Sequence, residues 1–294
     1  MSFQVVPVSK HRQVVNDLLD RALVQHASVS ATAEYDVTAL RQQLRNARRG
    51  GAAVSLSSYL VKATATLIRE QPNLNQHMFM TWWGSQRIVR FDDIHCTLVL
   101  SRRHEGEDLL LPLVVRHADQ LSISEIEAIV HHHKVAPLTA LAPMQALERI
   151  KRTPRIGLKI FSWRARTNPN FYLQTFGTYG LSSMVRQGGH TVAGASVANT
   201  GVAFIPGSLR KMPRLVGGQV VARDVLAVGF VFDHYLFDGI AMVRAIEGFA
   251  KFLERPPPAG WGLGQFRVGT PVAESAAETV SDVGLGSGAG DECV

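Results

Sequence analysis

The stretch that decides the fold is VLAVGFVFDHYLFDG, residues 225–239. Its first eight residues form a near-continuous apolar run, which is typical of a buried strand. The run leads into HYLFDG, which places His234 and Asp238 four positions apart, and a helical pattern begins directly after them. A histidine at a strand end can have its tautomer fixed by local hydrogen bonds and serve as a general base, while a nearby carboxylate fixes the turn. The stretch therefore predicts a strand, a chemically capable turn and a helix.

The composition is that of a folded protein. The 294 residues are 46% hydrophobic and 19% charged, which suits one large domain or two small ones. The two cysteines, Cys96 and Cys293, are far apart, so a disulfide framework and any cysteine-based zinc spacing are excluded. The N-terminus lacks the pattern of a signal peptide, and no stretch approaches the roughly 18 apolar residues of a membrane span. We expect a cytoplasmic protein with no metal site and no stable membrane insertion.

The charge is distributed unevenly. The net charge is +7 and the isoelectric point is about 9.7. Five acidic and no basic residues follow Arg267, so residues 1–267 carry +12. Such a surplus indicates a polyanionic partner: nucleic acid, anionic lipid or a phosphate-bearing cofactor. Residues 256–294 are rich in Pro, Gly, Ala and Ser and predict a disordered acidic tail, although Trp261 and Phe266 are able to hold its first part on the body.

The order of elements predicts a mixed-sheet α/β or α+β fold, because helices and strands are mixed without strict βαβ alternation. Helical spacing covers residues 9–26, with Ser9 as a possible cap, and then Thr38–Arg48, SLSSYLVKATATLIREQPNLN, SISEIEAIVHHHKVA and GIAMVRAIEGFAKFLE. Strand patterns are SVSATAEYDV, QRIVRF, HCTLVLSRR, LLLPLVVRH, TVAGASVANTGVAFIP and QVVARDVLAVGFVFDH.

Residues 149–166, RIKRTPRIGLKIFSWRAR, hold seven basic side chains and no acidic one. Apolar residues interleave with them, so the segment suits a membrane surface, nucleic acid or cofactor phosphates. The simpler interpretation is an exposed basic loop or short helix with its apolar face on the body, since Pro154 and Gly157 break up a long amphipathic helix. No nucleic-acid-binding motif accompanies it, and we expect no nucleic-acid partner.

Seven segments in order carry a resemblance to a known superfamily. They are VPVSKHRQVV, EYDVTAL, SLSSYLVKATATLIREQPNLN, LLLPLVVRHADQLSISEIEAIV, GTYGLSSM, GGQVVARDVLAVGFVFDHYLFDG and the closing helix. Over residues 5–255 the chain resembles the chloramphenicol acetyltransferase and dihydrolipoamide acyltransferase superfamily, specifically the catalytic domain of 2-oxo acid dehydrogenase acyltransferases. The resemblance implies a chloramphenicol-acetyltransferase-like mixed sheet flanked by helices, with residues 1–255 as one catalytic domain.

The resemblance also implies roles for particular residues. His234 matches the general base that takes the proton from the acceptor, and Ser182 in GTYGLSSM, 52 residues earlier, matches the hydroxyl that stabilises the oxyanion. Asp238 matches a structural aspartate that pairs with an N-terminal arginine, for which Arg12 is the candidate and Arg21 the fallback. An exposed helix residue is an equally good interpretation of Arg12.

Two departures from the family pattern bear on function. Asp233 repeats the family's acidic residue before the histidine, but Tyr235 stands where the dehydrogenase-complex enzymes usually carry arginine, which puts the acceptor preference in doubt. The catalytic resemblance begins within the first ten residues, so we expect no lipoyl domain in this chain. With a single motif unit, the resemblance implies a homotrimer, or a multiple of it, with sites between subunits.

The function implied is transfer of an acyl group from a coenzyme A, lipoyl or pantetheine thioester to a thiol, hydroxyl or amine acceptor. Coenzyme A would then be a substrate, with no permanently bound cofactor, and the partner a small molecule or a carrier protein. Two alternatives remain: a non-catalytic trimeric scaffold, or a natural-product condensing or cyclising enzyme of the same fold.

The remaining conspicuous residues have simpler interpretations. His131, His132 and His133 predict a solvated helix end, since three successive helical side chains point in different directions. Cys96 on an apolar strand predicts a buried small hydrophobe. Trp82 and Trp83 suit either a pocket or an interface, and Gly217-Gly218 predicts a hairpin turn.

Overall fold

In the computed structural model, the structure describes residues 16, 19, 22, 23, 26–104, 107–153, 155–187, 190–197, 200–255, 258 and 261. Most of the predicted first helix, including Ser9, Arg12 and Arg21, lies outside these residues, as do Phe266 and nearly all of the predicted tail. The described strands are β1 (Ser28–Asp36), β2 (Gln76–Met80), β3 (Gln86–Arg90), β4 (Cys96–His104), β5 (Glu107–Val115), β6 (Tyr179–Ser182), β7 (Arg186–Gln187), β8 (Val202–Val216) and β9 (Gln219–Asp233). The α-helices are α1 (Thr38–Arg49), α2 (Leu56–Glu70), α3 (Ile123–Val135), α4 (Ala142–Arg152), α5 (Arg155–Thr167), α6 (Pro169–Phe176) and α7 (Gly239–Leu253).

The main sheet is mixed, as the element order predicts. Its strands run in the order β1-β9-β8-β6-β4-β5, with β7 paired to β8, and β2 and β3 form a separate hairpin. The β4–β6, β6–β8 and β7–β8 pairs are parallel, and the other pairs are antiparallel. The predicted hairpin turn at Gly217 and Gly218 joins β8 to β9, and both residues have positive φ, the conformation that a two-residue hairpin turn needs.

One face of the sheet carries the main core. Side chains alternate between the two faces of a strand, and Phe204, Phe230 and Phe232 all point into one cluster with Tyr35 and Phe249. Helices α2 and α7 pack there, with Tyr59 of α2 donating its hydroxyl hydrogen to the carbonyl of Phe252 at 2.5 Å. The helices thus cover one face, and the strand ends that carry His234 and Ser182 are held by a rigid core.

The opposite face departs from the sequence prediction. Residues 191–197 are irregular rather than part of a strand. A Cβ at Gly207 would lie 2.0 Å from the carbonyl oxygen of Val192, and one at Gly229 would lie 1.8 Å from that of Gly194. The segment therefore crosses the sheet in direct backbone contact with two glycines, and a strand pattern cannot reveal such a crossing.

The basic segment is helical on both sides of residue 154. Helix α4 ends at Arg152 and α5 begins at Arg155, so the predicted interruption of one long helix is confirmed, and Pro154 itself lies outside the described residues. The break predicted at Gly157 is wrong, because α5 continues through it; the tertiary packing of α5 outweighs the roughly 1 kcal/mol helix cost of one glycine. Within the described residues, no helix is both long and apolar enough to cross a membrane.

Trp261 holds the chain that follows α7 onto the body. Its ring stacks on Phe252 with centroids 5.6 Å apart and contacts Tyr59 at 5.4 Å. Only 7% of the residue is exposed, so the predicted role of Trp261 is confirmed.

Three buried histidines predict an acid-sensitive fold. Burial lowers the pKa of His77 to about 3 and those of His95 and His133 to about 4. Each is neutral when folded, whereas the unfolded chain takes up protons as pH falls below about 6.5. We expect the free energy of unfolding to fall with acidification between about pH 6 and 4.5, by up to about 1.4 kcal/mol per pH unit for each histidine.

Urea unfolding across this range measures the slope. In the variant His133→Leu the slope is expected to be about one third smaller, and the control His131→Leu, which changes an exposed histidine of the same helix, should leave it unchanged. A stability independent of pH in the wild type would contradict neutral buried histidines.

Candidate active site

The turn after β9 presents His234 at the protein surface. Strand β9 ends at Asp233, whose carbonyl accepts the N–H groups of Leu236 at 2.9 Å and Phe237 at 3.1 Å. Phe237 is buried in the core and His234 is exposed. The buried side chain of Phe237 anchors the turn in the core, and the exposed His234 leaves its imidazole accessible to solvent.

The hydrogen bonds of His234 select its tautomer. Nδ1 lies 2.7 Å from the carbonyl oxygen of Phe237, and because a carbonyl only accepts, Nδ1 must carry the hydrogen. The neutral ring then has its lone pair on Nε2. The backbone N–H of His234 donates to the carbonyl of Ala27 at 2.7 Å. The ring and the backbone of His234 are thus both held by hydrogen bonds, and Nε2 remains available as the basic nitrogen.

Asp233 is the internal anchor of this turn. Its side chain is fully buried. His26 Nδ1 donates to Oδ2 at 2.6 Å, and the N–H groups of Ala27 and Tyr235 donate to Oδ1 at 3.2 and 3.1 Å. Burial alone would raise the pKa of Asp233, but the hydrogen bond from His26 and the two backbone N–H groups bring it below its usual value. The carboxylate therefore stays ionised and ties the start of β1 to the turn.

A second histidine, His77, lies next to His26. His77 of β2 lies 5.3 Å from His26 between ring centroids and stacks on Tyr172 of α6 at 4.1 Å. Burial and the neighbouring His26 keep it neutral. Beside it, Gln76 donates its side-chain amide to the carbonyl of Leu236 at 3.3 Å. The base of the β2–β3 hairpin thus supports the turn from inside.

Sequence patterns did not indicate His26 or His77. They lie 207 and 156 residues before Asp233 in the chain, with no shared motif. The only available signal was that His26 occurs where the first helical pattern gives way to β1.

Replacement of Asp233 tests this arrangement. We expect Asp233→Asn to lower the free energy of unfolding by roughly 1–3 kcal/mol and to lower kcat, because the turn loses its buried anion. Asp224→Asn is the matched control: Asp224 is buried on the same strand and pairs with Arg41 at 3.0 Å, far from the turn. We expect Asp224→Asn to lower the free energy of unfolding measured in urea but to leave the kcat of the folded protein unchanged. Equal kcat in both variants would show that Asp233 is structural only.

Ser182 lies at the end of β6 and is half-buried. Extending the β6–β8 register places it beside Ile205, which pairs with Gly229 of β9. By alternation it points to the face opposite the helices, as Asp233 does. Asp233 is four residues further along β9 and two strands away, which puts the two backbones roughly 16 Å apart. No contact among the described residues joins Ser182 to His234, so one chain does not bring the two together.

Comparison with known proteins shows which proteins share this fold. Residues 1–143, just under half of the chain, match the profile of the 2-oxoacid dehydrogenases acyltransferase catalytic domain. A probable dihydrolipoamide acetyltransferase from Listeria monocytogenes superposes with a TM-score of 0.62 at 17% identity, covering 88% of this chain and 97% of that one. The chain has the catalytic-domain fold of the dihydrolipoamide acyltransferases. The mixed fold expected from the sequence is confirmed.

Two other relatives match most of this chain, but they differ in how much of their own length is matched. The Azotobacter vinelandii dihydrolipoamide acetyltransferase superposes with a TM-score of 0.62 at 18% identity, over 86% of this chain and 91% of that one. The lipoamide acyltransferase component of the branched-chain alpha-keto acid dehydrogenase complex of Pseudomonas putida is 26% identical over 259 residues, which is 85% of this chain and 52% of the relative. The chain spans about half the length of the curated relatives it matches.

In this acyltransferase fold, Asp238 begins the helix after the turn. It is the N-cap of α7, and its Oδ1 accepts the N–H of Ala241 at 2.8 Å. This is the usual role of an aspartate at a helix start. Its predicted partner Arg12 and the fallback Arg21 lie outside the described residues, so the brace stays a prediction.

The other predicted positions have mixed outcomes. Cys96 is buried, as predicted, and burial raises its pKa to about 12. His131 and His132 are exposed, but the expectation of a solvated helix end is wrong for His133, which is 3% exposed because it lies on the inner face of α3. The described residues contain no group of three or more side chains suited to a metal ion.

Proposed function

We propose that the protein is a cytoplasmic acyltransferase that moves an acyl group from a thioester of coenzyme A, lipoamide or a pantetheine carrier to a thiol, hydroxyl or amine. The observation that carries this proposal is the lone pair left available on Nε2 of the exposed His234, in a turn that the buried Asp233 carboxylate holds in place. An imidazole with its lone pair on an exposed Nε2 is suited to remove a proton from an acceptor,. The curated relatives, named as lipoamide and dihydrolipoyllysine acyltransferases, support the reaction class.

The proposed reaction follows from these groups. Nε2 of His234 takes the proton from the acceptor's S–H, O–H or N–H as that atom forms a bond to the thioester carbonyl carbon. The tetrahedral intermediate carries the negative charge on the former carbonyl oxygen, where the Ser182 hydroxyl donates a hydrogen bond. Collapse re-forms the carbonyl and breaks the carbon–sulfur bond. The departing thiolate takes the proton from Nε2, and the histidine returns to its starting tautomer.

The positions of Ser182 and His234 in one chain favour an interfacial site. Ser182 and Asp233 point to the face of the sheet opposite the helices, but Ser182 and the turn that carries His234 are separated along and across the strands,. We infer that a neighbouring copy supplies the serine that each histidine needs, in a homotrimer or a multiple of it. The structural relatives include the cubic core of the pyruvate dehydrogenase multienzyme complex, a symmetric assembly, which supports this inference.

Residue spacing supports the two roles. The A. vinelandii structure accompanied enzymatic investigations of a serine, a histidine and an asparagine in its catalytic mechanism; the serine precedes the histidine by 52 residues, and the asparagine follows it by four. Here Ser182 precedes His234 by 52 residues and Asp238 follows by four. Aspartate replaces asparagine, and both are good helix N-caps. Asp238, braced by Arg12, is therefore proposed to hold the turn.

Release of a free thiol from acyl-coenzyme A tests the proposal. The purified protein is incubated with short-, medium- and long-chain acyl-coenzyme A and with dihydrolipoamide, an alcohol or an amine as acceptor. Acceptor-dependent thiol release, with the acylated acceptor seen by mass spectrometry, would support transfer. Mass spectrometry showing a cyclised product instead would favour a condensing enzyme. No turnover and no binding of any thioester would favour the scaffold interpretation and contradict the proposal.

A further inference from the structure

We propose that helix α5 and the tip of the β2–β3 hairpin form a docking surface for anionic lipid membranes. This membrane-docking face consists of exposed apolar side chains bordered by cations. The apolar members are Trp82, Trp83, Ile156, Ile160 and Trp163, and the cations are Arg87, Lys159, Arg164 and Arg166. The inference is independent of the proposed acyl transfer.

Helix α5 has an apolar stripe that faces outward. Ile156, Ile160 and Trp163 are 71%, 52% and 47% exposed, and their spacing of four and three residues places them on one side of the helix. On helical geometry Lys159 and Arg166 border one edge of the stripe, and Arg164 borders the other. A helix with a solvent-facing apolar stripe between cationic edges is typical of one that lies in a membrane interface.

The opposite side of α5 is fixed to the protein. Phe161 packs edge-on against Phe171 and Phe176 of α6, at 5.3 and 6.0 Å between ring centroids. At the edge between the two sides, the guanidinium of Arg164 lies 4.8 Å above the ring of Phe171. Because its inner side is packed, α5 cannot turn its stripe toward the core, and the apolar side chains remain at the surface.

The hairpin adds two tryptophans to the same face. Trp82 contacts Trp163 edge to face with centroids 5.7 Å apart, and Arg87 donates to the carbonyl of Thr167 at 3.2 Å. Trp82 and Trp83 are 73% and 89% exposed. Tryptophan favours the boundary between lipid headgroups and acyl chains because its large ring is apolar and its N–H is polar. An open cleft of about 620 Å³ between Trp82, Trp83 and Trp163 leaves room for a phosphate headgroup.

The positive charge of the membrane-docking face favours an anionic lipid membrane over a second copy of the chain as its partner. Residues 149–166 contain seven basic side chains and no acidic one, and residues 1–267 as a whole carry +12. A second basic body is a poor partner for a basic face, whereas an anionic bilayer attracts each nearby cation. Nucleic acid would satisfy the cations, but it offers no apolar layer for two isoleucines at the centre of the face. The apolar stripe and the charge together favour an anionic membrane.

Vesicle co-sedimentation of the full chain tests the proposal. We expect binding to vesicles of phosphatidylcholine containing phosphatidylglycerol, and little binding to pure phosphatidylcholine. In Lys159→Glu/Arg166→Glu, partitioning should fall at least about 25-fold, since each cation near an anionic surface is worth roughly a factor of five. In Ile156→Ser/Ile160→Ser, binding should weaken even at low salt. Trp83→Ala should show a smaller change in tryptophan fluorescence on vesicle binding than the wild type, because only Trp82 and Trp163 then remain on the face to report insertion into the headgroup layer.

Matched controls distinguish binding through the membrane-docking face from the effects of net charge and of exposed apolar side chains elsewhere on the chain. Lys134→Glu/Lys251→Glu makes the same change in net charge at exposed positions outside this face, and Leu215→Ser/Val220→Ser changes two side chains that are 74% and 72% exposed on the β8–β9 hairpin. Both should bind like the wild type.

Three outcomes would overturn the proposal. The first is binding that does not depend on the lipid charge or on the face variants. The second is a change in oligomeric mass in Lys159→Glu/Arg166→Glu by light scattering, which would make the face a subunit contact. The third is saturable binding of duplex DNA through this face with no vesicle binding.

Discussion

Replacing His234 with alanine is expected to lower kcat/KM for acyl transfer by roughly 10²–10⁴-fold, the range for loss of a general base. The proton of the acceptor then has no nearby base. The folded state should be largely retained, because the backbone N–H of His234 still donates to Ala27 and only one hydrogen bond to Phe237 is lost, worth about 1 kcal/mol. Thiol release at saturating and limiting acceptor measures the effect.

The control for this variant is His131→Ala, which removes an exposed histidine of α3 and should retain wild-type kcat. Unchanged activity in His234→Ala would eliminate the proposed mechanism.

Replacing Ser182 with alanine is expected to lower kcat by roughly 10²–10³-fold with little change in KM, as loss of one oxyanion donor does. Its neighbour Ser183 is half-buried and directly follows the end of β6. Ser183→Ala is therefore the matched control and should remain active.

Mixing the two inactive variants tests whether the site lies between subunits. If His234 of one chain acts with Ser182 of another, co-expressed His234→Ala and Ser182→Ala chains will form some sites that contain both intact residues. Random assembly gives about a quarter of the sites this composition, and activity should recover to that level. Recovery in the mixture, with none when the variants are purified separately and combined without exchange, would support the interface. A site contained in one chain predicts no recovery.

Much of the fold was predictable because local patterns were unambiguous. The apolar run before His234, the helical segments SLSSYLVKATATLIREQPNLN and SISEIEAIVHHHKVA and the Gly217-Gly218 turn all follow from short-range rules, and the structure confirms a strand, two helices and a turn there. The exceptions occur where long-range packing overrides those rules. Residues 191–197 have strand-like composition, but they cross two glycines of neighbouring strands instead of pairing with them. Gly157 lies within a helix that is anchored by Phe161.

The candidate site shows the same division. The sequence by itself singled out His234 and Asp238, because their spacing is a property of the chain order, and the family resemblance carried by its motifs added Ser182. Only the tertiary structure decided that Nε2 is the available nitrogen of His234, since this depends on the carbonyl of Phe237 folding back onto the ring. The tertiary structure alone also paired Asp233 with His26 across 207 residues and turned the stripe of α5 outward. Contacts between residues distant in sequence, and the direction in which a surface stripe faces, arise from packing of the whole chain, which no local pattern records.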